Sequence, residues 1–429
     1  MGQPRVLIVQ TTPYNENTSS RSLDSYFHYW DKNNVRQIFS RNWMPCKGHC
    51  GELYQITDSR ILKKWLHKPI QTGRVFKIDD LPAQGANCVQ QDSNAISQSY
   101  KLGSKHTPTI ELLRGLLWRK KYWCTSELIE WLDDYKPELV FYNFSYNLFL
   151  QPIVLFVAER YNIPIITAIG DDYYFNDKKS LSLAYHLLRH RFKKYCREIF
   201  AHEGSAVYVC DKIRDKYNSE FDLKGETIYF NSEVTRKPFA YINDVSPNIR
   251  YFGNIRLGRN ETLCKIADAL KSINPLYKLE VYSNENDPAY LDVMRRHDAI
   301  QYMGAIPYSE VQEKMMSCDI YIVAEGFRPE DINFTRYSLS TKAADGLACG
   351  AAVFAVGPEE SGLIDYLKKT NAAVVCTDEA AIESKLRSLI ANKSYQKELY
   401  EKSKTIAKKN HTVQESCTKF EGLVEKLIK

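Results

Sequence analysis

The stretch Thr335–Gly357, TRYSLSTKAADGLACGAAVFAVG, predicts a helix followed directly by a strand. The helix is predicted over Lys342–Cys349, where Gly350 ends it, and Ala351–Val356 follows as a short buried strand. Short hydroxyl residues just before such a helix are typical of an N-cap. These residues are Ser338, Ser340 and Thr341.

The start of this helix combines groups that suit an anionic ligand. Free backbone N–H groups and the positive end of the helix dipole would lie beside the Lys342 ammonium. Asp345 lies one turn further on, where its carboxylate can accept hydrogen bonds from a pair of sugar hydroxyls. The alternative is a plain connection between a capped helix and a parallel strand, with no ligand.

The same residues resemble a signature of the GT-B glycosyltransferases of family 4, also called glycosyl transferases group 1. The matching letters are STK followed by DGLACGAAVFAVG. The resemblance implies that Lys342 and the hydroxyls face the diphosphate of a donor nucleotide and that Asp345 faces its ribose. The chain departs from the family in having Asp345 for the usual Glu and alanine for the usual Pro at Ala351 or Ala352. Its Glu325 also precedes Asp345 by more than the family's glutamate spacing.

Length and composition predict two globular α/β domains. A chain of 429 residues exceeds what one core normally serves, and 44% hydrophobic and 26% charged residues are ordinary values. The 11 cysteines have no paired spacing, which favours free thiols in a reducing cytoplasm. The first residues read as a strand rather than a signal peptide, and no apolar run approaches the ~20 residues of a membrane span.

The order of predicted elements gives the domain boundaries. Strands and helices alternate from the first residues, as in a doubly wound fold, and a turn-rich stretch interrupts them at 231–248. We therefore expect an N-terminal domain at 1–240 and a C-terminal domain at 248–405, and the resemblance implies that the first binds the acceptor and the second the donor. The GT-B resemblance implies two Rossmann-like domains facing a cleft, with a helix in 406–429 crossing back onto the first domain.

In the second half, two predicted loops extend the donor site. The segment IRYFGNIRLGRNETLCKIADALK, from Ile249, reads as strand, glycine loop and helix, and its basic residues Arg256 and Arg259 follow Gly253. The resemblance implies that these three residues hold a pyrophosphate. It also implies that the GAIPY loop containing Ile306 frames the nucleobase, and Arg336 adds a further charge to the diphosphate clamp.

In the first half, the strongest catalytic candidates are Asp171 and Asp172. They follow the predicted strand Ile163–Ile169, and ligands bind at the carboxyl ends of parallel strands in such folds. Either carboxylate can act as a general base toward the hydroxyl of the acceptor substrate, or can accept a hydrogen bond from that hydroxyl. The alternative is that the pair caps the next helix. Ser19, Ser20 and Arg21 form a second anion-site candidate or a plain N-cap, and no dinucleotide or P-loop glycine motif is present.

Two segments combine clustered basic residues with aromatic and leucine side chains. They are LLRGLLWRKKYW at 112–123 and LAYHLLRHRFKKYCREIF at 183–200. This composition suits contact with an anionic membrane surface, although a core helix with a solvated charged face has the same composition. The excess charge of +6 lies entirely in the first 245 residues. Nucleic acid is the weaker alternative, because no recognition motif accompanies this modest charge.

Residues 40–110 read as irregular, with a polar surface loop from Leu81 to Lys105. Cys46, His49 and Cys50 lie close together there, but a closed zinc site needs a fourth ligand that is not written nearby. We therefore expect no metal site.

The resemblance implies a glycosyltransferase whose donor substrate is a nucleotide-diphosphate sugar, and we expect it to work without metal or cofactor. It would transfer a hexose to a hydroxyl of a saccharide or lipid-linked saccharide in surface polysaccharide assembly, and the resemblance favours retention of the anomeric configuration. The protein would be cytoplasmic, with peripheral contact to an anionic membrane. Two alternatives remain open, a nucleotide-sugar epimerase of the same fold and a non-catalytic sugar- or membrane-binding partner.

Overall fold

The computed structural model describes residues 2–14, 20–82 and 107–428, which form two compact units. The first unit comprises Met1–Tyr208, Arg214–Glu226 and Lys419–Lys429, and the second comprises Val209–Ile213 and Thr227–Thr418. Residues 83–106 of the predicted polar loop, Ser19, and the side chains of Ser20 and Arg21 lie outside the described residues.

The first unit is built on an eight-stranded sheet with the order β4-β3-β2-β1-β5-β6-β7-β8. Its strands are β1 (Val6–Val9), β2 (Val35–Phe39), β3 (Glu52–Ile56), β4 (Gly73–Lys77), β5 (Leu139–Asn143), β6 (Ile165–Ile169), β7 (Gly204–Tyr208) and β8 (Glu226–Thr227). Its helices are α1 (Ser20–Phe27), α2 (Asp58–Trp65), α3 (Pro108–Leu117), α4 (Lys120–Trp123), α5 (Ser126–Tyr135), α6 (Gln151–Tyr161) and α7 (Leu183–Ala201), and α8 (Asp211–Phe221) follows β7. The central strand β1 pairs in parallel with β2 and β5, and all four of its residues are buried.

The stretch expected to be irregular, 40–110, contains more regular structure than its composition indicates. It contains β3, α2 and β4, and β4 pairs antiparallel with β3 at the edge of the sheet. Thr57 caps α2 by accepting a hydrogen bond from the Arg60 backbone N–H. The prediction of irregular structure was therefore wrong over 52–77, because short strands between Gly and polar residues carry little periodicity of their own.

The second unit is built on a six-stranded parallel sheet with the order β11-β10-β9-β12-β13-β14. Its strands are β9 (Ile249–Phe252), β10 (Leu279–Tyr282), β11 (Ile300–Gly304), β12 (Ile320–Ala324), β13 (Ala352–Val356) and β14 (Val374–Cys376). Its helices are α9 (Arg259–Ile273), α10 (Pro288–Arg296), α11 (Tyr308–Met316), α12 (Pro329–Thr335), α13 (Thr341–Cys349), α14 (Gly362–Thr370), α15 (Ile382–Ala391) and α16 (Lys393–Asn410), and α17 (Val413–Ile428) ends the chain. Three 3-10 turns complete the described elements, at Lys32–Asn34, Ile78–Asp80 and Glu379–Ala381.

The strand order of the second sheet determines where a ligand can bind. Numbered from β9, it is 3-2-1-4-5-6, the doubly wound Rossmann order. The order reverses between β9 and β12. A crevice forms outside the carboxyl ends of strands at such a switch point. The predicted donor loop after β9 lies at this point.

The turn-rich stretch 231–248 has no helix or strand, yet it packs closely within the second unit. The Arg236 guanidinium donates to the carbonyl oxygens of Leu347 and Tyr400 at 2.8 and 2.6 Å. The Tyr400 hydroxyl donates to the carbonyl of Lys237 at 2.9 Å. Ile242 is part of the apolar core of this unit. The stretch is therefore bound along the surface of α13 and α16.

The last helix, α17, extends over the division between the two units. Residues from Lys419 onward belong to the first unit. There the Phe420 ring is fully buried and contacts the rings of Phe27 and Phe141 with centroids 5.1 and 5.6 Å apart.

Candidate functional site

The candidate site lies in the second unit, at the start of α13 and the ends of β9 and β12. Ser340 is the N-cap of α13, and its hydroxyl accepts a hydrogen bond from the Lys342 backbone N–H at 3.3 Å. Gly350 ends the helix in the left-handed conformation, with φ of 88°. The helix and strand predicted from this stretch are both present, each one residue from the expected start.

Lys342 extends from the first turn of α13 to Gly253 at the end of β9. A Cβ atom at Gly253, where φ is +131°, would lie 2.4 Å from Lys342 Cε and 3.1 Å from Nζ. Any other residue there would displace the lysine and would also be strained. The Lys342 ammonium lies 5.5 Å from the Tyr251 ring centre, and it has no hydrogen bond or ion pair with the described residues.

The surroundings of Lys342 change its protonation. Desolvation and the neighbouring Arg259 guanidinium lower the pKa of Lys342 to about 8, while the carboxylates of Glu325 and Asp345 act in the opposite direction. The two cations and two carboxylates are therefore electrostatic neighbours. At neutral pH the lysine is charged but poorly stabilised, which is the state that an added anion would stabilise.

Arg259, the first residue of α9, forms a double hydrogen bond with Glu325. Its Nε and one terminal nitrogen donate to the two carboxylate oxygens at 2.8–3.1 Å. Glu325 follows β12 and is only 2% exposed. Desolvation lowers the pKa of Arg259, but Glu325, Tyr251 and Asp331 together raise it above its ordinary value, so the guanidinium remains charged. Glu325 therefore neutralises part of the positive charge at this site.

A close backbone contact aligns this ion pair. Gly258, with φ of +70°, caps α9, and a Cβ atom on Gly326 would lie 2.3 Å from the Leu257 carbonyl oxygen and 2.8 Å from the Gly258 Cα. The Thr262 hydroxyl also donates to the Glu325 carbonyl at 2.8 Å. The loops after β9 and β12 can approach this closely only because both have glycine at the contact.

Asp345 is buried on α13, and its carboxylate accepts a hydrogen bond from the Ser232 hydroxyl at 2.7 Å. Ser232 belongs to the segment that packs along α13. Its partnership with Asp345 was not anticipated from the sequence, because the two residues are far apart in the chain.

The other predicted donor residues lie in different settings. Arg256 is half-exposed and donates to Glu285 at 2.6 and 2.8 Å, which lowers the pKa of Glu285 to about 2. Ile306 follows Gly304 in the loop after β11, the edge strand of the sheet. Arg336 ends α12, and Ser338 and Thr341 are half-buried on either side of the cap residue. The structure thus groups Gly253, Arg259, Lys342 and Asp345 and directs Arg256 away to another partner.

The predicted catalytic pair in the first unit separates into two roles. Asp172 is buried, and its carboxylate accepts hydrogen bonds from the Phe175 backbone N–H at 2.9 Å and from the Tyr217 hydroxyl at 3.0 Å. It therefore stabilises the turn after β6. Asp171 is exposed and accepts a hydrogen bond from the Tyr173 hydroxyl at 3.3 Å. Of the two carboxylates, Asp171 is the one accessible to an acceptor.

Glu325 belongs to this site, although its spacing from Asp345 did not match the family pattern and its contact with a donor was not predicted. Its signal was its position directly after the apolar strand CDIYIVA, at the carboxyl end of a parallel strand. Within the described residues, no cluster of three or more His, Cys, Asp or Glu side chains is arranged to hold a metal ion. Cys46 and Cys50 are buried thiols, and the His49 ring stacks on Tyr14.

Comparison with known proteins agrees with this architecture. A family model described as glycosyl transferase-like matches residues 259–422. Sucrose-phosphate synthase from Thermosynechococcus elongatus is 10% identical with a TM-score of 0.61, covering 99% of each chain. HepE of Anabaena, solved in complex with UDP and glucose, is 10% identical with a TM-score of 0.57, covering 99% of this chain and 100% of that one. A glycosyltransferase from Rickettsia africae is 13% identical with a TM-score of 0.57, over 99% and 98%.

The chain therefore has the GT-B fold of these glycosyltransferases. The residues matched by the glycosyl transferase-like model, 259–422, include Arg259, Glu325, Lys342 and Asp345. A search of curated protein sequences finds no match to the chain.

Proposed function

We propose that the protein transfers a hexose from a nucleotide-diphosphate sugar to a hydroxyl of a saccharide or lipid-linked saccharide. The observation that carries this proposal is the Lys342 ammonium, which lies against Gly253 at the strand switch point without a hydrogen-bond partner among the described residues. A diphosphate would supply the missing acceptors. The matched glycosyl transferase-like domain and the UDP complex of HepE support the same ligand class.

The site residues suit stabilisation of a leaving diphosphate. Negative charge accumulates on the diphosphate as the bond to the sugar breaks, and fixed cations next to it lower the barrier. Lys342, Arg259 and the N-terminus of α13 supply this positive potential, and we propose that they do so without a metal ion. Asp345, oriented by Ser232, would accept hydrogen bonds from sugar hydroxyls of the donor.

The finer assignments rest on the family resemblance. They are retention of the anomeric configuration and a role in surface polysaccharide assembly. Work at the inner face of the plasma membrane, in peripheral contact with it, is proposed from the composition of the basic segments at 112–123 and 183–200. Asp171 is the proposed contact for the acceptor hydroxyl, because it is exposed after a strand of the first sheet.

The donor site is tested by thermal unfolding with UDP, GDP, dTDP, CDP and CMP. One diphosphate at 100 times its dissociation constant should stabilise the protein by about 2.7 kcal/mol. Lys342→Met should lose this effect, whereas Lys397→Met, a matched change on the exposed face of α16, should retain it. No stabilisation by any of the nucleotides would contradict the proposal.

Transfer itself is tested with the sugar nucleotide of the base that binds. We expect nucleotide release to depend on an added saccharide acceptor, and NMR of the product should show the donor's anomeric configuration. Conversion of the sugar nucleotide to an isomer without any acceptor would instead identify an epimerase.

A further inference from the structure

The two basic segments at 112–123 and 183–200 come together on the surface of the first unit. The first segment forms two helices, α3 and α4, with buried Trp118 between them, and α3 packs against α7, which contains the second segment. A groove of about 630 Å³ lies between these helices. Its lining includes five basic side chains and no carboxylate; the basic residues are Arg119, Lys120, His190, Arg191 and Lys194.

Arg189, on the inner face of α7, is a basic residue that stabilises the first unit itself. Arg189 is buried, donates to Asp177 at 2.7 Å, and donates to the carbonyl oxygens of Tyr173 and Tyr174 at 2.8 and 2.7 Å. Its hydrogen bonds join α7 to the loop after β6. Arg189 therefore has a structural role.

The basic side chains of the groove, on α7 and at the start of α4, differ from Arg189. The side chains of Arg119 and Arg191 have neither a hydrogen-bond acceptor nor a carboxylate partner among the described residues. Lys194 has an ion pair with Glu198 on its own helix, at the long distance of 3.8 Å. A concentration of positive charge in a groove lined by no carboxylate raises the potential there and attracts anions.

Exposed apolar side chains lie on or next to the same helices as these cations. Leu113 and Leu116 of α3 are 60% and 41% exposed, and Leu183 and Leu187 of α7 are 85% and 50% exposed. Leu181, just before α7, is fully exposed. Leu116 and Leu187 line the groove itself. Single exposed leucines are ordinary, but four on two packed helices, with a fifth just before one of them, mark an interaction surface.

We propose that this groove and its leucines are a docking surface for a bilayer containing anionic phospholipids. The leucines would enter the interfacial region, and the unpartnered arginines and Lys194 would bind headgroup phosphates. The positive charge of the groove favours an anionic lipid surface over a neutral protein partner. The projecting leucines favour such a surface over a soluble anion. The proposal rests on the proposed function, because it names the surface at which the protein would meet a lipid-linked acceptor. Docking itself needs no donor nucleotide.

The experiment measures binding of the whole protein to sedimenting vesicles of phosphatidylcholine with and without phosphatidylglycerol. We expect binding to the anionic vesicles alone, weakening as salt is added. The variant Arg119→Gln/Arg191→Gln/Lys194→Gln should lose about 100-fold in affinity, because each basic residue near such a surface contributes about fivefold. Leu183→Ser/Leu187→Ser should lose at least about tenfold.

A matched variant, Lys404→Gln/Lys408→Gln/Lys409→Gln, removes the same charge from exposed positions of α16 and should bind as the wild type does. Equal loss in this variant would overturn the proposal, since net charge rather than the groove would then explain binding. Unchanged binding of either groove variant, or equal binding of the wild type to neutral vesicles, would also overturn it. Stabilisation by nucleotide, measured on the same variants, reports the donor site separately, so failure of docking and failure of the proposed function are distinguishable.

Discussion

Lys342 is the residue whose environment most constrains the chemistry of the site. Its aliphatic chain occupies the space above Gly253, and its ammonium faces Arg259, another cation. Burying like charges together is unfavourable unless an anion joins them. Glu325 and Asp345 provide part of that compensation from the protein itself, and a ligand phosphate would provide the rest.

The pKa of Lys342 predicts how nucleotide binding depends on pH. Below about 8 the lysine is protonated and attracts a diphosphate, and above this value it becomes neutral. Affinity for the diphosphate should therefore be constant at neutral pH and fall by up to tenfold per pH unit as the pH rises beyond about 8. Calorimetric titration of the nucleotide at several pH values measures this profile. Lys342→Arg, which stays charged, should bind with a flat profile, and a falling profile in this variant would show that another group titrates.

The same shift has an opposite consequence for the free protein. Because folding lowers the pKa of Lys342 from its ordinary value of 10.5 to about 8, the folded state binds fewer protons than the unfolded chain between these two pH values. The contribution of Lys342 to stability therefore improves as the pH rises through this interval.

Glu325→Gln tests the ion pair with Arg259. Removing the carboxylate leaves a buried guanidinium without its counter-charge, so we expect a loss of about 3 kcal/mol in the free energy of unfolding. The pKa of Lys342 should also fall, because Glu325 raises it, so diphosphate affinity should decline from a lower pH than in the wild type. Chemical denaturation and the pH titration measure the two effects. The control Glu383→Gln breaks an exposed pair with Arg387 within one helix and should cost less than about 0.5 kcal/mol.

At the scale of elements, the packing of α13 on β12 holds the site together. Gly346 lies on the inner face of α13, where a Cβ atom would be 2.8 Å from the ring of Tyr321. Tyr321 is itself fully buried in β12. The helix can approach the sheet this closely only because its inner face has small residues.

Gly346→Ala should therefore destabilise the second unit. Alanine normally favours a helix over glycine, but here the added methyl would push α13 from the sheet, and we expect a cost of about 1–3 kcal/mol. The control is Gly422→Ala on α17, where a Cβ atom meets nothing within 4 Å. That change should stabilise by about 0.5–1 kcal/mol. Thermal unfolding of both variants measures the contrast, and equal effects would show that helix propensity rather than the Tyr321 contact decides.

The whole molecule consists of two units with separate cores. The first core surrounds β1, β5 and the aromatic rings near Phe27 and Phe141, and the second surrounds β9 and β12. The last helix, α17, begins in the second unit, and its final residues belong to the first unit. No helix of residues 2–14, 20–82 or 107–428 is both long and apolar enough to span a bilayer.

Phe420→Ala tests how strongly the last helix stabilises the first unit. The ring is fully buried and also lies 5.2 and 5.8 Å from the rings of Tyr26 and Trp30. Its removal leaves a cavity among large side chains, so we expect a loss of about 3–5 kcal/mol. Ile428→Ala, at an exposed position of the same helix, should stay within about 0.5 kcal/mol. Denaturant unfolding followed by tryptophan fluorescence measures both, and an unaffected transition in Phe420→Ala would contradict this packing role.

The sequence by itself determined the α/β class, most strands and helices of the second unit, and the helix start with Ser340 and Lys342. These features are local, since apolar periodicity, caps and glycines act within a few residues of the chain. The sequence also indicated the GT-B fold, because the residues near Lys342 and Asp345 resemble the signature of that glycosyltransferase family.

Only the tertiary structure decided which charged groups meet. Arg256 and Arg259 look equivalent in the sequence, yet one pairs with Glu285 and the other with Glu325. Asp171 and Asp172 are adjacent, yet only Asp172 is buried by the turn that it stabilises. The Ser232 contact with Asp345 and the basic groove likewise join distant segments. Such partners depend on strand order and on the side toward which each residue points, and neither is written in local spacing.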